Sequence, residues 1–207
     1  MKDKLSIIKS WLGTGSVNIF GLPMSGKDAQ GQKLAELLGA KFLSSGDIIR
    51  QKEAEARQDY SSEGNLIPTD VFYAWVLPYF YEPAIKDQPL VLSSIGRWFG
   101  EEDQVLAETA KSGHKIKAVI LLDLSVADVE SRFEAAKILG DRGNRADDST
   151  FAIMQYRIEE FSAKTLPVIQ HYNDLGLLLR VNGDQPRDAV TAEIIEKLYE
   201  RASEEVA

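Results

Sequence analysis

The sequence contains no cysteine among its 207 residues. Disulfides, thiolate metal sites and cysteine nucleophiles are therefore excluded together. Histidine is scarce as well, and we expect His114 and His171 to lie at the surface rather than to form a catalytic pair. No apolar run approaches the roughly 18 residues that a membrane span needs, and the stretch after Met1 is amphipathic rather than a secretory leader. We therefore expect a cytoplasmic protein that does not enter a membrane.

Positive charge is also in short supply. Lysine and arginine total 24 residues against 32 aspartates and glutamates, a formal net charge of −8. Proteins that coat nucleic acid neutralise its phosphates with clustered cations, so this balance argues against nucleic acid as a partner. The 44% of hydrophobic residues and 27% of charged residues are typical of a globular protein. Any anionic ligand must therefore be held by a local concentration of cations.

Short apolar runs alternate with helix-like segments along the chain. Five runs predict the buried strands of a parallel sheet, at residues 17–20, 41–43, 90–92, 116–122 and 177–181. Between them, apolar residues recur at helical spacing. This alternation predicts an α/β fold in which helices cover both faces of a parallel sheet. Residues 149–172 predict one long helix, or two abutting helices, interrupted at Pro167.

A glycine-rich segment follows the first predicted strand and leads directly into a helix. Gly21-Leu22-Pro23-Met24-Ser25-Gly26-Lys27 matches the first seven positions of the phosphate-loop pattern G-x-x-x-x-G-K-[ST]. Glycines let the backbone turn so that several N–H groups converge on one phosphate at the positive end of a helix. Lys27 adds a mobile charge for the outer phosphates. The eighth position is Asp28, followed by Ala29, where a hydroxyl ordinarily reaches Mg²⁺.

Four further motifs follow this loop. In order they are Leu43-Ser44-Ser45-Gly46-Asp47-Ile48-Ile49-Arg50, Gly64-Asn65-Leu66-Ile67-Pro68, Arg145-Ala146-Asp147-Asp148 and Arg157-Ile158-Glu159-Glu160-Phe161. The succession resembles adenylate kinase and its nucleoside monophosphate kinase relatives. Those proteins carry L-S-[ST]-G-D-[ML]-[LI]-R, G-x-[LI]-[VI]-P, R-x-D-D and R-[LI]-x-x-[YF] in the same order. The resemblance spans residues 20–161.

The resemblance implies a three-layer, P-loop NTPase-type fold with a five-stranded parallel sheet in a single kinase domain, residues 1–207. Its core would comprise residues 1–46, 84–135 and 149–207. A helical insertion that binds the monophosphate would occupy residues 47–83, and a short lid residues 136–148. The lid would be of the zinc-free type, because residues 136–145 hold no cysteine or histidine.

The activity that the resemblance implies is reversible, Mg²⁺-dependent transfer of the terminal phosphoryl group from ATP to AMP, giving two ADP. ATP would be bound by Gly21, Met24, Ser25, Gly26, Lys27, Asp28, Ala29 and Arg132. AMP would be bound by Ser45, Arg50, Ile67, Arg97, Gln104, Arg145 and Arg157. The implied catalytic residues are Lys27, Arg97, Arg132, Arg145 and Arg157, whose charges would stabilise the transferred group. We expect ATP and a nucleoside monophosphate as partners, Mg²⁺ as cofactor, and a monomer.

The chain departs from the family pattern where Mg²⁺ would be held. The family's D-G-[FY]-P-R segment is Ser93-Ser94-Ile95-Gly96-Arg97 here, which loses the acid that helps hold water around the metal. The loop has Asp28-Ala29 where the family has Gly-Thr. Asp28 either replaces the lost groups, because oxygen ligands suit Mg²⁺, or is only a favourable acid in the first turn of a helix, in an impaired site.

The sequence does not decide which base the acceptor nucleotide carries. The glutamine expected four residues after Arg97 is Glu101, with Gln104 three residues further on, and either could hydrogen-bond to the base. A glutamate would favour a base that presents donors. The alternatives to adenylate kinase are thus a kinase of CMP, UMP or GMP, or a catalytically weak nucleotide-binding relative.

Overall fold

The computed structural model describes residues 2–61, 63–139 and 150–206, without the side chains of residues 137–139 and 206. Most of the expected lid therefore lies outside the described residues, and with it Arg145, Asp147 and Asp148. Within the described part of the chain, no helix is both long enough and apolar enough to cross a membrane.

Five strands form one parallel sheet in the order β2-β3-β1-β4-β5. Their bounds are β1 Ser16–Gly21, β2 Lys41–Ser44, β3 Leu90–Ser93, β4 Ile116–Asp123 and β5 Leu178–Asn182. Each of the five predicted strands is present, with its ends within one residue of the prediction. Continuous apolar runs mark such strands because both faces of a parallel sheet are buried.

Helices connect the strands. Their bounds are α1 Lys2–Leu12, α2 Lys27–Leu38, α3 Ser45–Ala56, α4 Thr69–Trp75, α5 Glu101–Lys111, α6 Val126–Leu139, α7 Phe151–Glu160, α8 Leu166–Asp174 and α9 Arg187–Val206. Two short 3₁₀ helices, Leu77–Tyr81 and Pro83–Ile85, follow α4. A π-helical turn, Phe161–Thr165, joins α7 to α8.

The helices cover both faces of the sheet. Helices α1, α2 and α9 pack on the face that includes Val17 and Ile19 of β1. Phe20 directly follows Ile19 and therefore lies on the opposite face of the pleat, where it packs with residues of α4, α5 and α8. This three-layer arrangement confirms the predicted α/β fold.

Two local predictions differ from the structure. The interruption of the helix near Pro167 is a π-helical turn that ends before the proline, which lies in the first turn of α8 where its missing N–H costs nothing. The prediction of a surface position for His114 is wrong. His114 is 1% exposed, and its Nδ1 lies 3.0 Å from the carbonyl oxygen of Thr14. It leads into β4, whose start is covered by the loop before β1.

Candidate active site

A cleft of about 910 Å³ lies at the carboxyl edge of the sheet. Residues at or just beyond the ends of three strands line it, among them Lys27 after β1, Ser45 after β2 and Ser94 after β3. The strands are parallel, so their carboxyl ends share one edge, which is where doubly wound sheets bind ligands. The volume is near the upper end of the range for small-molecule sites.

The phosphate loop connects β1 to α2 along this cleft. A Cβ on Gly21 would lie 2.5 Å from Ser25 Oγ, so the loop can close in this way only on a glycine. Gly26 has a φ of +82° and, among the described residues, no side chain caps the helix that follows it. The first backbone N–H groups of an α-helix have no partner within the helix, so the start of α2 is suited to an anion. Lys27 lines the cleft, whereas Gly21 is not among its lining residues.

Met24 lies within the loop, where the family resemblance predicts contact with ATP, and its buried side chain was not expected. Its φ is +65°, a region that side chains rarely adopt. The side chain is 8% exposed and packs in a cluster with Val129 and Phe133 of α6 and with Met154 of α7. The phosphate loop is thereby joined to the two helices that flank the expected lid.

Five arginines line the same cleft, and four of them were predicted: Arg50, Arg97, Arg132 and Arg157. The structure thus brings these predicted residues together with Lys27. The chain has a net charge of −8, so this local concentration of positive side chains makes the cleft attractive to anionic ligands.

The surroundings of the arginines differ. Arg132 donates from Nη1 to the carbonyl of Met24 at 3.3 Å and from Nη2 to that of Gly183 at 2.6 Å. Arg50 is paired at 2.5 Å with Asp47, one turn earlier in α3. The stem of Arg157 packs on Gly64, where a Cβ would lie 2.7 Å from Arg157 Cγ. Arg132 therefore ties the phosphate loop to the end of β5, and the positive φ and close approach of Gly64 require glycine.

The predicted acceptor residues Ser45 and Ile67 also line the cleft. Ser45 Oγ donates to the carbonyl of Ser94 at 2.9 Å, which joins the start of α3 to the end of β3. Ile67 is 4% exposed and packs in the core cluster beside Phe72 of α4, another cleft residue. Ile67 and Phe72 therefore supply an apolar part of the cleft wall, and Ser45 and Arg50 supply polar groups.

Comparison with known proteins gives a consistent result, although no family model matches the chain. The adenylate kinase of Micrococcus luteus is 29% identical over 189 residues, which cover 87% of this chain and 89% of that protein. Adenylate kinase 1 of Nostoc sp. is 30% identical over 84% of this chain and 93% of its own length. The adenylate kinase of Thermosynechococcus vestitus is 30% identical over 88% and 96%, respectively.

The chain belongs to the adenylate kinase family. It is a nucleoside monophosphate kinase and therefore a phosphotransferase.

The adenylate kinase motifs are altered at two residues that meet in the cleft. Ser93 stands where the family has the aspartate of D-G-[FY]-P-R, and Asp28 follows the phosphate-loop lysine. Ser93 Oγ donates to Asp28 Oδ1 at 2.6 Å. A carboxylate and a hydroxyl are thus both present, but here the loop supplies the carboxylate, from Asp28, and the end of β3 supplies the hydroxyl, from Ser93. The sequence could not show that these residues, 65 positions apart, are in contact.

The position of the family's base-contacting glutamine is occupied by Glu101 rather than by Gln104. Glu101 lines the cleft, whereas Gln104 is exposed and donates to Glu108 Oε1 at 3.2 Å. The assignment of Gln104 to the AMP site stays a prediction, and in the structure Gln104 does not line the cleft. It is three residues further along α5, about 4.5 Å along the helix axis away from the cleft end.

Glu101 is 2% exposed and accepts three hydrogen bonds. Its Oε2 accepts the backbone N–H groups of Arg97 at 2.8 Å and Trp98 at 3.0 Å, and its Oε1 accepts Thr69 Oγ1 at 2.9 Å. Burial raises the pKa of this carboxyl above its ordinary value, against the opposing effect of the two backbone N–H groups and the Thr69 hydroxyl.

The sequence analysis did not predict two of the cleft residues, Gln185 and Arg187. They lie between the end of β5 and the first turn of α9. Only their position directly after the last predicted strand could have indicated them, because every segment that follows a strand of this parallel sheet borders the same edge.

Proposed function

We propose that the protein transfers the terminal phosphoryl group of ATP to AMP, giving two ADP, in a Mg²⁺-dependent reaction. The observation that carries the proposal is the convergence of the phosphate loop and the four predicted arginines on one cleft. Phosphoryl transfer needs charge neutralisation and positioning more than covalent participation by the protein, and this cleft is equipped for both.

The donor side would be formed by the loop from Met24 to Ala29. The first amides of α2 and the ammonium group of Lys27 would bind the triphosphate of ATP. Arg132 would hold the loop in place through the carbonyl of Met24 and lend its charge to the donor phosphates. This assigns the donor to the segment between β1 and α2.

The acceptor side would be formed by the insertion and the segment after β3. Arg50 and Arg97 would bind the phosphate of the monophosphate through the planar guanidinium fork. Ser45 and Ile67 would complete that pocket, and Arg157, together with Arg145 from the lid, would close over the transferred group. An acceptor phosphate oxygen would attack the terminal phosphorus of ATP while the bond to the bridging oxygen breaks, so that ADP leaves from one side and forms on the other.

The residues present fit Mg²⁺ held mainly through the nucleotide. Across residues 2–61, 63–139 and 150–206, no cluster of three or more acidic or histidine side chains could hold a metal by itself. The Asp28 carboxylate in the cleft, oriented by Ser93, is an oxygen donor of the kind that Mg²⁺ and its water ligands prefer. Bound with ATP, the ion supplies charge neutralisation at the outer phosphates.

The altered motif supports one competing function, a nucleotide-binding protein with weak turnover. Asp28, Ala29 and Ser93 remove the family's own metal-site groups. The 2.6 Å contact between Ser93 and Asp28 favours the enzyme, because it returns a carboxylate and a hydroxyl to the same place.

A coupled assay of ADP formation from ATP and each of AMP, CMP, UMP and GMP tests the proposal. We expect Mg²⁺-dependent turnover that is fastest with AMP. Lys27→Ala should abolish it, whereas Lys33→Ala, on the same helix but exposed, should not. Nucleotide binding without turnover would instead identify the weak relative, and faster turnover with another monophosphate would reassign the acceptor.

A further inference from the structure

Glu101 is a buried carboxylate at the edge of the cleft whose two oxygens are both engaged by the protein. One oxygen accepts the backbone N–H groups of Arg97 and Trp98, and the other accepts the hydroxyl of Thr69. An ionised carboxylate has no proton to donate, so three donors are the matching set. This arrangement differs from that of a side chain directed at a ligand.

The first thing that Glu101 holds is the backbone of Arg97. Gly96, with a φ of +77°, turns the chain into this residue. The N–H of Arg97 donates to Glu101, and its carbonyl accepts Thr165 Oγ1 at 3.2 Å. Both backbone polar groups of Arg97 are therefore bound. A guanidinium at the end of a flexible stem reaches a phosphate accurately only if the stem begins from a fixed point.

The second thing that Glu101 holds is the insertion. Thr69 is the first residue of α4 and closely follows Ile67, which lines the acceptor pocket. A hydrogen bond of 2.9 Å from Thr69 to Glu101 therefore connects the insertion to the Arg97 segment. The two parts of the acceptor site meet on one side chain.

We propose that Glu101 is a positioning residue for the acceptor phosphate, which acts through Arg97 and Thr69 and does not select the acceptor base. The proposal rests on the proposed monophosphate kinase activity. It assigns Glu101 a role in binding every monophosphate, because the phosphate is common to all of them.

Two substitutions separate positioning from base selection. Glu101→Gln keeps an oxygen for the two backbone N–H groups and offers its amide hydrogens to the Thr69 oxygen, which can accept. At the same time it changes the donor and acceptor pattern that a base would meet. Glu101→Leu keeps much of the volume and removes every acceptor. Thr69→Val, which removes only the hydroxyl at nearly equal size, isolates the link to the insertion.

The experiment measures kcat and KM for ATP and for AMP, CMP, UMP and GMP, together with direct titration of AMP binding, in the wild type and these variants. We expect Glu101→Gln to stay within about threefold of the wild type and to keep the same ranking of monophosphates. Glu101→Leu should weaken the binding of every monophosphate by about tenfold or more, by a similar factor for each, with a smaller change for ATP. Thr69→Val should weaken monophosphate binding in the same direction.

A change of about tenfold or more in the ranking of monophosphates in Glu101→Gln would overturn the proposal, because it would make Glu101 a base-selecting residue. Unchanged AMP binding in Thr69→Val and in a folded Glu101→Leu would overturn it as well. If Glu101→Leu does not fold, the Gln and Val variants decide. A wild type that binds AMP without turnover would contradict the proposed function alone, since the binding titrations would still compare the variants.

Discussion

Met24 holds a left-handed backbone conformation that costs a non-glycine residue about 1–2 kcal/mol. The residue persists there because its side chain is buried in the cluster that joins the phosphate loop to α6 and α7. Strain and packing therefore oppose each other at one position. This opposition can be measured.

We expect Met24→Ala to destabilise the protein by about 2–5 kcal/mol, because it removes the buried side chain and keeps the strain. Met24→Gly removes the same side chain and relieves the strain, so it should be more stable than Met24→Ala by about 1 kcal/mol. Urea denaturation measures the difference. Met154 is the control, since it is buried in the same cluster but within α7, where glycine should be worse than alanine by about 1 kcal/mol. The same order at both positions would contradict the account of Met24.

Asp28 is the acidic residue that the chain places in its phosphate site. We expect Asp28→Ala to lower Mg²⁺-dependent turnover by about tenfold or more, the loss typical of groups that orient a metal and its ligands. Glu36→Ala, on the exposed side of the same helix, is the matched control and should keep full turnover. Steady-state kinetics at saturating ATP and Mg²⁺ measure both. Unchanged turnover in Asp28→Ala would mean that its carboxylate does not compensate for the lost family groups.

Restoring the family's arrangement is a complementary change. The triple variant Asp28→Gly, Ala29→Thr, Ser93→Asp places a hydroxyl in the loop and the carboxylate at the end of β3. We expect it to recover most of the turnover that Asp28→Ala loses. Turnover no better than that of Asp28→Ala would show that the two arrangements are not equivalent in this cleft.

Burial raises the pKa of Glu101 in the folded protein, so the folded state binds more protons than the unfolded state in the interval above the ordinary glutamate pKa. Stability from this group is therefore fully present below that ordinary value, about 4.3, and is lost as pH rises through the raised one. Glu101→Gln has no titratable carboxyl here and therefore lacks this pH-dependent contribution to stability. We expect the stability of the Gln variant relative to the wild type to increase from acid to neutral pH, as measured by urea denaturation at a series of pH values. A difference that is constant or falls with pH would contradict the assignment.

At the scale of the elements, the apolar runs predict the strands closely. A run such as that of β4 is continuous because both faces of the strand are covered. The π-helical turn before Pro167 has no such signal, because its hydrogen-bond pattern depends on how α7 and α8 pack. The burial of His114 was missed for the same reason, since it depends on the Thr14 loop from a distant part of the chain.

Helix α1 precedes the phosphate-loop strand and packs against α9. Trp11 is 5% exposed, and its Nε1 donates to Glu205 Oε2 at 2.7 Å. We expect Trp11→Ala to destabilise the protein by about 3–5 kcal/mol, the usual cost of emptying a large buried site. Because Trp11 does not line the cleft, KM for ATP should change little.

Far-ultraviolet circular dichroism during urea denaturation measures this loss without relying on tryptophan fluorescence. Lys9→Ala, exposed on the same helix, should stay within about 0.5 kcal/mol of the wild type. A Trp11→Ala variant as stable as Lys9→Ala would show that the packing of α1 on α9 contributes nothing to stability.

At the scale of the whole molecule, a net charge of −8 coexists with a cleft that gathers Lys27 and five arginines. The family resemblance predicted four of these arginines, whereas Arg187, after the last strand, was missed. The pairing of Ser93 with Asp28 and the anchoring of Arg97 by Glu101 could not be predicted. Both depend on side-chain positions that the backbone pattern leaves open.

The central claim is that one cleft passes a phosphoryl group directly between two nucleotides. Incubation of the protein with Mg²⁺, AMP and ATP labelled in its terminal phosphate, followed by separation of the products, tests it most directly. We expect the label to appear in ADP only when AMP is present. Chelation of Mg²⁺ should prevent this transfer. Label that remains in ATP, or that is released as inorganic phosphate in place of ADP, would contradict the claim.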